Sequence, residues 1–205
     1  MSFYARYCFA PLMDWSLSRP AVNALRASVV APTAGRVLEI GFGTGLNLAF
    51  YRPEVTSLTL LDPETLLPAR VKQRMDQSAA RQVVAISATA ETLPFRDEAF
   101  DHVVSTFTLC TIPDVAAALA EVRRVLRPRG SLRFLEHGRS DSRSLARWQD
   151  RLNPLQQFWA CGCNLNRPIE KLIRGAGFSI EQLDRSPLPG VPSVLLDLSR
   201  GIAVR

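Results

Sequence analysis

Three glycines at alternate positions, Gly41, Gly43 and Gly45, directly follow the apolar run Val37-Leu38-Glu39-Ile40, whose carboxylate, Glu39, stands two residues before the first of them. Glycine lets the chain turn tightly and approach a ligand with no Cβ in the way, and the carboxyl edge of an open α/β sheet is where ligands bind. A dinucleotide fingerprint needs GxGxxG, but here the third glycine comes one residue early and Leu46 takes its place. A carboxylate at Glu39 also suits a cation better than a pyrophosphate. About twenty residues beyond the loop, Asp62 ends a second apolar run, placed to accept hydrogen bonds from both ribose hydroxyls of a nucleoside. S-adenosylmethionine joins these features in one molecule: an ammonium and a sulfonium for Glu39, and a ribose for Asp62.

Methyl transfer from a sulfonium is an in-line displacement, so the protein's main task is to hold the reacting atoms ~3–3.5 Å apart. A thiol with pKa ~8.5 is partly ionised at neutral pH, which makes a base optional. That suits a chain with two histidines and no catalytic dyad. His102, next to Asp101 in an apolar run, reads as structural. His137 follows the fifth apolar run beside Glu136, where an imidazole either takes a proton, orients a nucleophile or caps the strand. Cys110 reads as a pocket-lining or a small buried residue. The four cysteines are too few and too irregular for a disulfide framework, and Cys161-Gly-Cys163 is not half of a zinc motif. Free thiols, a reducing compartment and no metal are therefore expected.

These residues need a scaffold. Short apolar runs at Arg36–Ile40, Ser57–Leu61, Gln82–Ser87, His102–Thr106 and Ser131–Leu135 read as strands. They alternate with helical stretches over 45–51, 65–79 and Val115–Leu126, the last stopped by Arg127-Pro-Arg-Gly130. Alternation of this kind predicts a doubly wound α/β sheet, largely parallel, with helices on both faces. Helices over 142–158 and 169–175 and a strand over 178–183 come next. The C-terminal stretch, broken by Pro187, Pro189 and Pro192, returns as an edge strand near Ile202–Val204. Residues 1–34 form one or two helices, and Phe3–Phe9 with Tyr4 and Tyr7 form an aromatic lid on the substrate side, favourable to a sulfonium. The 205 residues make one domain: lid 1–34, cofactor-binding core 35–138, substrate side 139–205. With no run approaching ~20 apolar residues and no secretory pattern, a cytoplasmic protein is expected. The net charge is +6, almost wholly arginine, densest at Arg123, Arg124, Arg127, Arg129 and Arg133. That group reads first as a solvated helix end and second as an attraction to anionic membrane. Trp15, Trp148, Phe158 and Trp159 suit a pocket, a membrane-facing patch or the core equally.

Five ordered motifs carry a family resemblance. They are Glu39-x-Gly-x-Gly-x-Gly45, Asp62, Ala90-Glu-Thr-Leu-Pro-Phe95, Phe100-Asp-His-Val-Val104 and Glu121-Val-Arg-Arg-Val-Leu-Arg-Pro-x-Gly130. Over about residues 36–136 the chain resembles the class I methyltransferases of the type 11 group, which includes the ubiquinone and menaquinone C-methyltransferases. The resemblance implies a Rossmann-like seven-stranded sheet ending in an antiparallel hairpin. It places Glu39 near the methionyl amine, Asp62 with Pro63 at the ribose, Ala90 and Glu91 at the adenine, and Thr106 and Phe107 at the methyl-transfer site. Thr89 departs from the Asp usual before the Ala-Glu pair. A narrower resemblance, in Leu61-Asp-Pro63, Thr108-Leu-Cys110, Phe134-Leu-Glu-His-Gly138 and Gly162-Cys-Asn-Leu-x-Arg167, is to the alkyl-thiol S-methyltransferases. It puts His137, Cys110 and Asn164 in the catalytic set and Cys163 at the substrate. The expected reaction is S-methylation of a small thiol. The alternatives are N-methylation of phosphatidylethanolamine, C-methylation of a quinone precursor, or a cofactor-binding regulatory subunit. Thr106-Phe-Thr-Leu stands where resemblance to the enzymes that methylate base amino groups implies Asn/Asp-Pro-Pro-Tyr/Phe, so a small molecule or a lipid, and not nucleic acid, is the expected acceptor. Peripheral membrane contact and the oligomeric state stay open.

Overall fold

In the computed structural model, which describes residues 3–187 and 197–205, the apolar runs become β1 (Gly35–Ile40), β2 (Val55–Asp62), β3 (Val83–Ser87), β4 (Phe100–Thr106) and β5 (Leu126–His137). These pair in parallel. An antiparallel hairpin of β6 (Ser179–Pro187) and β7 (Asp197–Val204) completes a seven-stranded sheet in the order β3-β2-β1-β4-β5-β7-β6. The doubly wound sheet is as expected, with one change at its end. The final strand is not the edge but lies between β5 and β6. The true edge, β6, carries mostly exposed polar residues, which discourages pairing with other chains. Pro189 and Pro192 lie outside the described residues.

Alternation along the strands divides the apolar side chains between two faces. Leu38 and Ile40 join Val103, Leu132 and Phe134 against α4 (Val115–Val125) and α6 (Ile169–Gly175). Val37, Leu58, Leu60 and Val104 face the other way, with Val30 of α2 (Pro20–Val30) and Val71 of α3 (Pro68–Asp76). Each fully buried leucine contributes about 1.5–3 kcal/mol, so two such layers hold the strand ends in fixed register.

Three local expectations change. The stretch 45–51 makes only a 3₁₀ turn, Leu46–Phe50, because Arg52 precedes Pro53 and is steered away from α geometry. The helix expected over 65–79 shrinks to α3, opened by Pro68 at its first position. Arg127-Pro-Arg-Gly130 belongs to β5 rather than to a stop: Leu126 is already extended and pairs with Phe100, and a register shift takes up the proline.

The N-terminal segment is π-wound over Ala5–Phe9, continues as α1 (Ala10–Leu17) and turns into α2. Past the carboxyl edge runs α5 (Arg143–Trp159). Its buried Gln149 donates to the Gly138 carbonyl (2.9 Å) and accepts from the Ser140 amide (2.8 Å). Among the described residues no helix is long and apolar enough to cross a membrane.

Candidate active site

The glycine loop leaves β1 with Gly41, Gly43 and Gly45 all left-handed (φ 65°, 54° and 80°). They do different work. A Cβ on Gly41 would stand 2.1 Å from Thr108 Cγ2, so this glycine makes room for the loop after β4, not for a ligand as expected. The Thr108 hydroxyl donates to the Gly41 carbonyl (3.1 Å), which locks the two loops together. Among the described residues, a Cβ on Gly43 would meet nothing within 4 Å, so this is the position where the loop opens a cradle. The Gly43 amide donates to Asp62 Oδ2 (3.0 Å) and the Glu64 amide to Oδ1 (3.1 Å). Burial still pushes the Asp62 carboxyl above its usual range. Pro63 is exposed and its carbonyl accepts from Ser87. Ala90 is buried with Leu61 and Leu93, and Glu91 beside it is half-buried.

Glu39 is buried and both its oxygens are engaged: Asn47 Nδ2 donates to one (2.9 Å) and the Tyr51 hydroxyl to the other (2.7 Å). Burial raises its carboxyl to about 7. Arg26 of α2 reaches into the same network, donating to Asn47 Oδ1 (2.8 Å) and Thr106 Oγ1 (2.9 Å). Its guanidinium lies 5.2 Å from the centre of the Phe107 ring, and Phe107 itself has a left-handed φ of 55°. Desolvation lowers the Arg26 pKa to about 10, held there by Glu39 and Glu136, so the group stays cationic at neutral pH. Its Nε is buried without a hydrogen-bond partner among the described residues. Asp14 of α1 accepts from Thr44 Oγ1 of the glycine loop (2.6 Å) and from Arg74 (2.6 Å), and also pairs with Arg70 of α3. The N-terminal segment is thereby fastened onto the glycine loop by a buried carboxylate. Sequence reasoning missed both Asp14 and Arg26, which belong to no local motif.

On the acceptor side, Glu136 is fully buried, accepting from Ser105 Oγ (2.7 Å) and from the Thr108 amide (3.0 Å), with burial raising it to about 7. It clamps the loop after β4, a role also missing from the expectations. His137 Nε2 lies 3.0 Å from Cys163 Sγ, and Cys163 Sγ lies 3.6 Å from Cys110 Sγ. All three are buried, and His137 Nδ1 has no hydrogen-bond partner among the described residues. The Cys110 thiol and His137 hold the Cys163 thiol well below its ordinary pKa, while Cys110, facing Cys163, is raised. Burial pushes the His137 imidazole down, but the hydrogen bond to Cys163 and the negative charges of Cys163 and Glu136 together bring it above its ordinary value. The fold therefore brings three of the expected residues together. Asn164 stands beside them but is spent on structure, donating to the Cys110 carbonyl (2.9 Å) and accepting from Gln157 (2.6 Å). The lid differs from expectation. The Tyr7 side chain is 60% exposed, stacked on Phe3 and Arg6, and Tyr4 donates to the Trp159 carbonyl (2.9 Å). It is Phe9 that packs on Cys110 and Cys163.

Comparison with known proteins decides the family. The family described as a methyltransferase domain matches residues 38–134. The thiol S-methyltransferase TMT1B of Homo sapiens is 37% identical over 158 residues, 75% of this chain and 64% of that protein. The phosphatidylethanolamine N-methyltransferase of Cereibacter sphaeroides is 31% identical over 138 residues, 66% of this chain and 68% of that protein. The chain belongs to the class I S-adenosylmethionine-dependent methyltransferases of the type 11 group. This methyltransferase spans a little under two thirds of the thiol S-methyltransferase it matches. Its fold is shared with the 1,6-didemethyltoxoflavin-N1-methyltransferase of Burkholderia thailandensis, solved with 1,6-didemethyltoxoflavin and S-adenosylhomocysteine. The two superpose at a TM-score of 0.65, with 19% identity over 95% of this chain and 80% of that one. The methyltransferase's own residues fit the family cofactor. The open face at Gly43 would leave room for that ligand, and the Asp62 carboxyl, Glu39 and the Nε of Arg26 are of the types that would meet its ribose, ammonium and carboxylate.

Proposed function

We propose that this methyltransferase methylates the sulfur of a small thiol. The likeness to a thiol S-methyltransferase supports this reading, and the observation that carries it is the buried Cys110–His137–Cys163 cluster next to the loop after β4. S-adenosylmethionine supplies the methyl group on a sulfonium. Asp62, Gly43, Glu39 and Arg26 fix that end. Glu136, through Ser105 and Thr108, sets the wall against which the acceptor must be aligned. The acceptor sheds its proton to solvent on ionising. The wall that Glu136 sets would hold this thiolate in line with the methyl carbon of the oppositely charged sulfonium. A water-excluded approach strengthens that attraction. A panel of hydrogen sulfide, an alkyl thiol, phosphatidylethanolamine vesicles and a demethylquinone tests the reading. Thiol turnover far above the others is expected, and turnover confined to vesicles or quinone overturns it. Cofactor binding with no transfer to any of them favours the regulatory-subunit alternative.

A lipid acceptor is the second reading, favoured by one surface. Phe3, Tyr7, Trp15, Phe158 and Trp159 are all more than half exposed, with Tyr4 bridging the N-terminal segment to Trp159. Arg6 and Arg19 stack on Tyr7 and Trp15, an arrangement suited to the headgroup level of an anionic membrane. This reading makes the chain a cytoplasmic protein that visits a membrane surface. Arg124 at the end of α4 and Arg127 at the start of β5 are not its probes. Arg124 is engaged by Glu121, Asp97 and two carbonyls, and Arg127 pairs with Asp101. Sedimentation with anionic liposomes that Phe158→Ser abolishes supports it, and no sedimentation of the unaltered chain refutes it.

A further inference from the structure

We propose that Cys110, His137 and Cys163 form a zinc site with three protein ligands and an open fourth position. The three residues come from different parts of the chain: the turn after β4, the last residue of β5 and the segment between α5 and α6. His137 and Cys163 are 26 positions apart, and Cys110 and Cys163 are 53 apart, so no short motif announces them. Their ligand atoms nonetheless all lie within 4.8 Å of one another. Tetrahedral zinc with Zn–S near 2.3 Å sets its sulfurs about 3.75 Å apart. The two sulfurs here are 3.6 Å apart. The same geometry asks about 3.5 Å between sulfur and imidazole nitrogen. His137 Nε2 stands 3.0 Å from Cys163 Sγ and within 4.8 Å of Cys110 Sγ, so binding asks the ring to withdraw by about half an ångström from the first sulfur and to stand about 3.5 Å from the second.

The chemistry of the donor set agrees. Two thiolates and a neutral imidazole are soft-to-borderline donors that select zinc over hard cations such as magnesium or calcium. Two thiolates cancel the charge of the ion, so the loaded site is neutral, which a surround of Phe9 and Ala160 tolerates. Three protein ligands leave one vertex free, the arrangement of catalytic rather than structural zinc. The free vertex would take an acceptor thiolate and hold it ionised. That last step rests on the thiol reading above, whereas the metal site itself does not.

The test uses the whole reduced chain with Cys8→Ser and Cys161→Ser, which removes the two exposed thiols. After chelator treatment, cobalt(II) is titrated in and then displaced by zinc, with bound metal read by equilibrium dialysis and elemental analysis. One cobalt per chain with intense thiolate-to-metal charge-transfer absorption is expected, lost in Cys163→Ser and in Cys110→Ser. X-ray absorption of the zinc-loaded chain should give two sulfurs and at least one nitrogen, a readout that survives even if a cysteine variant fails to fold. Adding an alkyl thiol should bring in a third sulfur. Metal uptake no greater than in the Cys110→Ser/Cys163→Ser chain, or a zinc shell without sulfur, overturns the site. A two-sulfur shell unmoved by the thiol, in a chain that still methylates thiols, overturns only the acceptor's place on the metal and leaves the thiol reading intact.

Discussion

Gly41 and Gly43, two residues apart and both left-handed, should respond in opposite ways to one added methyl group. Alanine at either position carries the left-handed backbone cost of about 1–2 kcal/mol. At Gly43 that is the whole cost to the fold, since the new Cβ meets nothing within 4 Å among the described residues. For a chain of this size, each kcal/mol lowers Tm by about 2–4 °C, so Gly43→Ala should melt about 2–8 °C low. At Gly41 the new Cβ would sit 2.1 Å from Thr108 Cγ2 and 2.3 Å from its Oγ1. Thr108 cannot give way, because Glu136 holds its amide and Gly41 its hydroxyl. Overpacking adds about 1–3 kcal/mol or more, for a total of about 2–5 kcal/mol and a Tm fall of about 4–20 °C. Cofactor binding should reverse the order. By calorimetry Gly43→Ala should lose most of its affinity for S-adenosylmethionine while still folded. Gly41→Ala/Thr108→Gly should regain part of the lost melting temperature, as removal of the clashing side chain requires. Equal melting of the two single variants, or normal cofactor affinity in Gly43→Ala, would refute the assignment.

Arg26→Met should weaken S-adenosylmethionine binding by about 1.5–3 kcal/mol, the worth of hydrogen bonds to a charged group, and weaken decarboxylated S-adenosylmethionine far less; equal losses for both ligands would remove Arg26 from the carboxylate. Glu39 and Glu136, both raised to about 7, keep their protons in the fold when the unfolded chain has lost them. Their contribution to stability is therefore full below about 4.5 and declines as pH rises to about 7, so Glu136→Gln should flatten the Tm-versus-pH curve across that window. A curve of unchanged slope would contradict the raised value. Asp14→Ala leaves Arg70 and Arg74 facing each other without their carboxylate and frees Thr44, and should cost about 2–3 kcal/mol by denaturant titration. It should also speed proteolysis within residues 3–17, and protection equal to that of the unaltered chain would show that the N-terminal segment is anchored elsewhere.

What the sequence made legible was local. The apolar runs and the glycine loop identify β1 to β5 and the carboxyl edge, because strand burial and left-handed turns are written in adjacent residues. Asp62 was legible for the same reason, by its distance from the loop. The order of the last two strands was not, since nothing in Ser179–Pro187 or Asp197–Val204 says which of them meets β5. Asp14 and Arg26 were hidden because each acts on a loop far along the chain, in a segment whose helical pattern looks ordinary. Glu136 read as a neighbour of His137, yet its partners are Ser105 and Thr108, about thirty positions back. The cluster of Cys110, His137 and Cys163 shows the same limit. The resemblance gathered them at one site, but their spacing along the chain gives no contact, and only the fold makes the three atoms adjacent.

The most direct measurement is to incubate the chain with S-adenosylmethionine carrying a deuterated methyl group and an alkyl thiol, and to weigh the products by mass spectrometry. The account predicts a deuteriomethyl thioether formed one-for-one with S-adenosylhomocysteine, absent in Asp62→Ala. S-adenosylhomocysteine formed with the label on another acceptor, or an intact cofactor bound without turnover, would contradict it.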